Sequence, residues 1–182
     1  FKNKSNYIRS SYVDELKKMT KNEKFITDKL PINFKWIGFI NLIFPDSKIV
    51  HCVRNSKDNC LSIYKNLFTN TELNYAYDFS DLIEFYNLYL DLMKFWKKTL
   101  PNTVIEVEYE KLIKVPDYEI KKLIKSCNLV WDVNCLKFYE NKRPIKTASD
   151  IQARSKIYDT SINYWKNYEK YLEKYFVNIK IN

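Results

Sequence analysis

A chain of 182 residues with a single glycine, Gly38, cannot carry a glycine-rich phosphate loop. The G-x-x-x-x-G-K-[ST] and G-x-G-x-x-G turns need several glycines, because the backbone must approach the phosphate closely. Neither motif occurs in this sequence. Histidine is equally scarce, His51 standing alone, and the four cysteines, Cys52, Cys60, Cys127 and Cys135, show no C-x-x-C spacing. A structural zinc site draws its ligands from closely spaced Cys and His, so no metal is expected. Cys52 and Cys60 sit in apolar patterns and read as reduced core residues, from which a cytoplasmic chain is expected. No apolar run approaches the roughly 20 residues of a membrane span. The amino end, Phe1-Lys2-Asn3-Lys4, lacks the hydrophobic stretch of a signal peptide and an initiator Met, so the chain is expected to start in mid-gene or after trimming.

Lysine and aromatic side chains are abundant. Lys+Arg number 31 against 22 Asp+Glu, a formal +9, which brings phosphate- or sulfate-bearing partners into consideration. Only Arg9, Arg54, Arg143 and Arg154 are arginines, so most of the excess is lysine, as on an ordinary solvated surface. With 46% hydrophobic residues the chain fills a core, and 1–182 is expected to be one domain.

Tyr7, Ile8, Tyr12, Leu16 and Met19 recur at helical spacing and lead into Lys24-Phe25-Ile26-Thr27, read as a buried strand. Pro31 and Pro45 bracket a helix with Gly38 inside it, a position that costs about 1 kcal/mol relative to Ala and implies close helix packing. Lys48 to Val53 reads as a second strand, followed by a helix that Ser56 can cap with Asp58 in its first turn. Asp78 can cap a longer helix that ends before Pro101, Val104 to Tyr109 alternates as a third strand, and Pro116 opens another helix. A polar stretch from Asn141 to Asp159 precedes a closing helix marked by Ile162, Trp165, Leu172 and Phe176. Strands separated by helices predict an α/β fold with a central parallel sheet and flanking helices.

In such sheets ligands lie beyond the carboxyl ends of the strands, which directs attention to Asp28-Lys29, Arg54-Asn55 and Tyr109-Glu110. Arg54, with Ser62 eight residues later on the following helix, can aim a guanidinium and a hydroxyl at one phosphate near a positive helix terminus. Spacing alone favours the plainer arrangement, with Arg54 paired to a local carboxylate and Ser62 solvated.

The run Lys48-Ile49-Val50-His51-Cys52-Val53-Arg54-Asn55-Ser56-Lys57-Asp58-Asn59-Cys60-Leu61-Ser62, together with Asp28-Lys29-Leu30-Pro31-Ile32-Asn33-Phe34, resembles the sulfotransferases that use 3′-phosphoadenosine 5′-phosphosulfate (PAPS). The bacterial sulfotransferases associated with tetratricopeptide repeats are the nearer likeness, the tyrosylprotein sulfotransferases the more distant one. Glu108-Tyr109-Glu110-Lys111-Leu112, Trp131-Asp132, Thr147-Ala148-Ser149, Gln152-Ala153-Arg154 and Tyr164-Trp165-Lys166-Asn167-Tyr168 agree in order.

The resemblance implies a P-loop-like sulfotransferase fold and transfer of a sulfuryl group from PAPS to a hydroxyl or amine acceptor, releasing PAP (adenosine 3′,5′-bisphosphate). It implies that Arg54 and Ser62 bind the 3′-phosphate and that Tyr109 meets the adenine, although a tyrosine there could equally fill the core. It implies that Ser149 to Tyr158 closes over the nucleotide, with Ser149, Arg154 and Tyr158 among the contacts, and that Lys29 is the cation beside the transferred group. Among so many lysines, Lys29 could also be an ordinary surface residue. His51, inside a strand, reads as a satisfied packing histidine.

Family members carry a Pro-Arg-Ser-Gly-Thr-Thr-like loop for the 5′-phosphosulfate and an acidic base ahead of the equivalent of residue 1. The chain is therefore expected to be the carboxyl-terminal portion of an enzyme, amino-terminally incomplete, with a sheet edge or apolar face able to drive association. Tyr164 stands where relatives place Arg or Lys. Two other readings are a noncatalytic basic, aromatic-rich module for nucleic acid or protein, and a degenerate sulfotransferase scaffold.

Overall fold

The computed structural model describes residues 2–20, 23–68, 71–141 and 154–181. It is mostly helical, with one two-stranded parallel sheet. Two compact units divide the chain, one of Phe1–Ile49 and Asp91–Val104, the other of Val50–Leu90 and Ile105–Asn182.

The first unit contains helix α1 (Lys2–Met19), a 3₁₀ helix over Pro31–Trp36 and helix α2 (Ile37–Ile43). It also holds the carboxyl half of helix α4 (Phe79–Thr99). Pro31 occupies the first position of the 3₁₀ helix, where its missing N–H costs nothing. The run Lys24 to Thr27 forms no strand, and Phe25 and Ile26 are 63% and 44% exposed. Two apolar residues are too short a signal to secure a partner strand, and among the described residues only β1 and β2 pair.

Gly38 has the packing role its place in the helix implied. A Cβ built there would lie 2.7 Å from Cη2 of Trp96. That indole cannot easily yield, because its Nε1–H donates to the Phe34 carbonyl at 2.8 Å. Gly38→Ala gains about 1 kcal/mol of helix propensity but overpacks this contact, and overpacking costs about 1–3 kcal/mol. A lowered denaturant midpoint is the expected outcome, and a raised one would show that the indole moves freely.

The second unit is built around strands β1 (Ile49–Val53) and β2 (Val104–Glu108), each running into a helix, α3 (Ser56–Tyr64) and α5 (Tyr109–Lys114). Helix α6 (Pro116–Ser126) follows, then a 3₁₀ stretch over Val133–Glu140, another over Tyr164–Tyr168, and helix α7 (Glu169–Phe176). The expected sheet is thus represented among the described residues by two of its three strands.

Asp78 caps α4 as its position suggested, its carboxylate accepting from the Ser80 and Asp81 N–H groups at 2.7 and 3.1 Å. At α3 the cap is Asn55 rather than Ser56: the Asn55 side chain accepts from the Asp58 N–H at 3.1 Å. Asn55 keeps the extended ψ of 126° with which the chain leaves β1, so its side-chain oxygen faces back over the helix end, whereas Ser56 already lies within the first turn.

Cys60, Phe79, Leu82, Ile83, Tyr86, Phe176 and Ile179 form the core of this unit. The Phe79 ring meets those of Tyr64, Tyr175 and Phe176 at centroid distances of 5.0, 5.3 and 5.9 Å. Burial pushes the Cys60 thiol up to about 12, so it stays protonated and unreactive. Cys52, also expected in the core, is exposed. Strand alternation is the reason: Ile49, His51 and Val53 share the covered face of β1, which leaves Val50 and Cys52 on the other.

With its one glycine inside α2, the chain uses asparagine where backbone turns left-handed. Asn102, Asn128 and Asn163 have φ of 65°, 57° and 56°. Asn128 ends α6 in this way, its N–H donating to the Lys125 carbonyl while the Leu129 N–H reaches the Ile124 carbonyl.

Candidate functional site

Both strands of a parallel pair end on the same side, so Arg54, just past β1, and Tyr109, just past β2, emerge together. The Arg54 guanidinium carbon lies 4.9 Å from the Tyr109 ring centroid, a cation–π arrangement that holds the planar fork in one orientation. Nη2 of Arg54 donates to the Ser161 carbonyl at 2.7 Å, and the Tyr109 hydroxyl and the Ser161 Oγ lie 2.8 Å apart. Three residues from three distant parts of the sequence thus close a triangle at the strand ends.

Ser161 is held there by Asp58, a residue whose role the sequence reading understated. Asp58 is 2% exposed, and its two carboxylate oxygens accept from the Asn163 N–H at 2.7 Å and the Trp165 N–H at 2.9 Å. Asn163 supplies no side-chain cap to the 3₁₀ helix it precedes, so Asp58, in the first turn of α3, caps a second helix end from outside. Lys57 Nζ sits 3.9 Å from the Trp165 ring centroid and 5.0 Å from that of Phe176. No local pattern around Ser161 announced it; Asp58 was visible only as an acid at a helix start.

The remaining candidates are distributed as follows. Ser62 is half-buried on α3, and its carbonyl accepts from the Asn66 side chain at 2.6 Å. Arg154 is exposed and donates to the Asn141 carbonyl at 3.1 Å. Tyr158 is exposed, and Ser149 lies outside the described residues.

Lys29 belongs to the first unit, where it is exposed. Its neighbour Asp28 accepts a hydrogen bond from the Tyr12 hydroxyl of α1. That bond raises the Tyr12 phenol to about 12. Tyr12 in turn packs on Phe44 at 5.5 Å between ring centroids, so the backbone beside Lys29 is tied to α1.

His51 is the satisfied histidine its place in β1 predicted. Nδ1 lies 3.2 Å from Oε1 of Glu106, Nε2 is hydrogen-bonded to the Tyr89 hydroxyl, and the side chain is mostly covered. Burial, followed by the neighbouring Tyr86 and Glu106, raises the Tyr89 phenol above its ordinary range. Among the described residues no cluster of His, Cys, Asp and Glu could hold a metal ion, and no helix is long and apolar enough to cross a membrane.

A family model described as "Sulfotransferase family" matches residues 3–133. An uncharacterized protein of Aquifex aeolicus (strain VF5) is 36% identical over 163 residues, covering 88% of this chain and 21% of the relative. The chain therefore spans about a fifth of the length of that curated relative. With the family match running through β1, Arg54, α3 and Tyr109, the chain belongs to the sulfotransferase family.

Proposed function

We propose that this chain provides the nucleotide half of a PAPS-dependent sulfotransferase, on a P-loop-like α/β fold, and that the carboxyl ends of β1 and β2 bind the 3′-phosphoadenosine. The observation that carries this reading is the Arg54–Tyr109 pair: a guanidinium fixed against an aromatic ring at the ends of two parallel strands, beside the amino terminus of α3. A phosphate dianion suits that combination, because a fork of N–H donors and the positive end of a helix both favour negative charge. Ser62 on α3 adds a hydroxyl for the 3′-phosphate and Tyr109 a surface for the adenine. Ser149, Arg154 and Tyr158 belong to the segment that covers the nucleotide.

In the reaction the bond from sulfur to the bridging oxygen of PAPS breaks as a bond forms from sulfur to the oxygen or nitrogen of the acceptor, which loses a proton, and PAP leaves. Lys29 stabilises the charge that develops on the bridging oxygen, a contribution made in the transition state. The acceptor is a hydroxyl or amine.

Titration calorimetry with PAP and with adenosine 5′-monophosphate tests this reading. An ordered 3′-phosphate contact through charged donors contributes about 3 kcal/mol, so PAP is expected to bind about 100-fold more tightly. Equal affinities would contradict a 3′-phosphate site, and steeply salt-dependent binding of single-stranded nucleic acid in its place would favour the noncatalytic basic module.

A further inference from the structure

Facing residues of parallel strands keep a constant difference in number, and three side-chain contacts here share one value. His51 meets Glu106, Arg54 meets Tyr109, and the Asn55 N–H donates to Oε1 of Glu110 at 2.8 Å, each pair 55 residues apart. The first rung joins imidazole to carboxylate in the middle of the strands; the second and third follow where the strands turn into α3 and α5. Tyr89 of α4 bonds the other nitrogen of His51, and its ring lies 5.2 Å from that of Tyr86, a core residue.

We infer that His51 and Glu106, braced by Tyr89, form a register lock that holds Arg54 opposite Tyr109. Two strands of five residues have few backbone hydrogen bonds with which to define their alignment, and a slip of one residue would reverse every side chain on the sliding strand. The lock opposes that slip in two ways. Nδ1–H of His51 donates to a carboxylate on the neighbouring strand, and Nε2 is hydrogen-bonded to a hydroxyl on a helix that contributes Leu82, Ile83 and Tyr86 to the core. A slip would break the His51, Arg54 and Asn55 contacts together, so each rung supports the others. His51 and Glu106 are positioning residues that touch no ligand. The existence of the lock is independent of the nucleotide reading, and its consequence for affinity rests on that reading.

Amide hydrogen exchange and PAP titration of Glu106→Ala, Glu106→Gln and Tyr89→Phe test the lock. The Glu106 side chain is 40% exposed, so its truncation leaves the core intact, and Tyr89→Phe removes a single hydroxyl. In Glu106→Ala the amides of Arg54 to Ser56 and Tyr109 to Lys111 are expected to exchange about tenfold faster, with PAP affinity falling by a similar factor. Tyr89→Phe should show the same pattern more weakly. Glu106→Gln keeps an oxygen to accept from His51 and should recover most of the protection and the affinity, a rescue that a general loss of stability would not give. Unchanged exchange at both strand ends in Glu106→Ala and Tyr89→Phe would overturn the lock. Faster exchange in a protein that never binds PAP would leave the lock standing and reject the nucleotide reading.

Discussion

Asp58→Ala is expected to lose about 3 kcal/mol of folding stability, because it removes a buried carboxylate that accepts two backbone N–H hydrogen bonds, and a hydrogen bond to a charged group contributes about 1.5–3 kcal/mol. The N–H groups are those of Asn163 and Trp165, bonded at 2.7 and 2.9 Å, and Asn163 supplies no side-chain cap of its own to the 3₁₀ helix that begins between them. Asp58→Asn is no repair. Its amide offers one acceptor oxygen and one N–H₂, which would face a backbone donor, so about 2 kcal/mol should still be lost. For a chain of this size each kcal/mol moves the melting temperature by about 2–4 °C, which puts Asp58→Ala roughly 10 °C below the parent in a thermal melt. The damage reaches the site, since the segment that Asp58 fixes carries Ser161, the residue bonded to both Arg54 and Tyr109. A melt within 1 °C of the parent would show that water replaces the carboxylate without cost.

Arg54→Ala is expected to weaken PAP binding by about 100-fold, the equivalent of about 2.7 kcal/mol and within the range for charge-assisted hydrogen bonds to a phosphate. Arg54→Lys keeps the charge and loses both the planar fork and the stacking on Tyr109, so it should recover only about a tenth of the affinity. Adenosine 5′-monophosphate, lacking the 3′-phosphate, should bind all three proteins alike. An Arg54→Ala protein that melts normally and binds PAP as tightly as the parent would remove Arg54 from the nucleotide site and leave it a structural partner of Ser161.

Much of the local architecture is readable from short-range chemistry. Asp78 before an amphipathic run, Pro116 at a helix start and a glycine inside α2 each act within one turn or one contact, and each is found as its neighbourhood implies. The misreadings share a cause. Whether Phe25 and Ile26 pair as a strand, and which face of β1 hides Cys52, depends on neighbours far away in the chain, which an apolar run does not identify. Choosing Asn55 over Ser56 as the cap depends on the angle at which the chain leaves β1, and both residue types are good caps.

The candidate site divides along the same line. Arg54 and Tyr109 are legible as residues just beyond strands, and parallel pairing is what brings them together. Ser161 and the second role of Asp58 are not legible, because they arise from a contact between α3 and a segment more than 100 residues later. The side-chain ladder is intermediate: its members are ordinary strand and helix-start residues until the common spacing of 55 is noticed.

The central claim is that nucleotide binds where β1 and β2 end. A ¹⁵N-labelled sample of the chain titrated with PAP and followed by amide chemical shifts tests it most directly. Saturable shifts are expected at Arg54, Asn55, Ser62, Tyr109 and Ser161, and adenosine 5′-monophosphate should move the first three much less. Saturable shifts confined to other residues, or none at millimolar PAP, would contradict the claim.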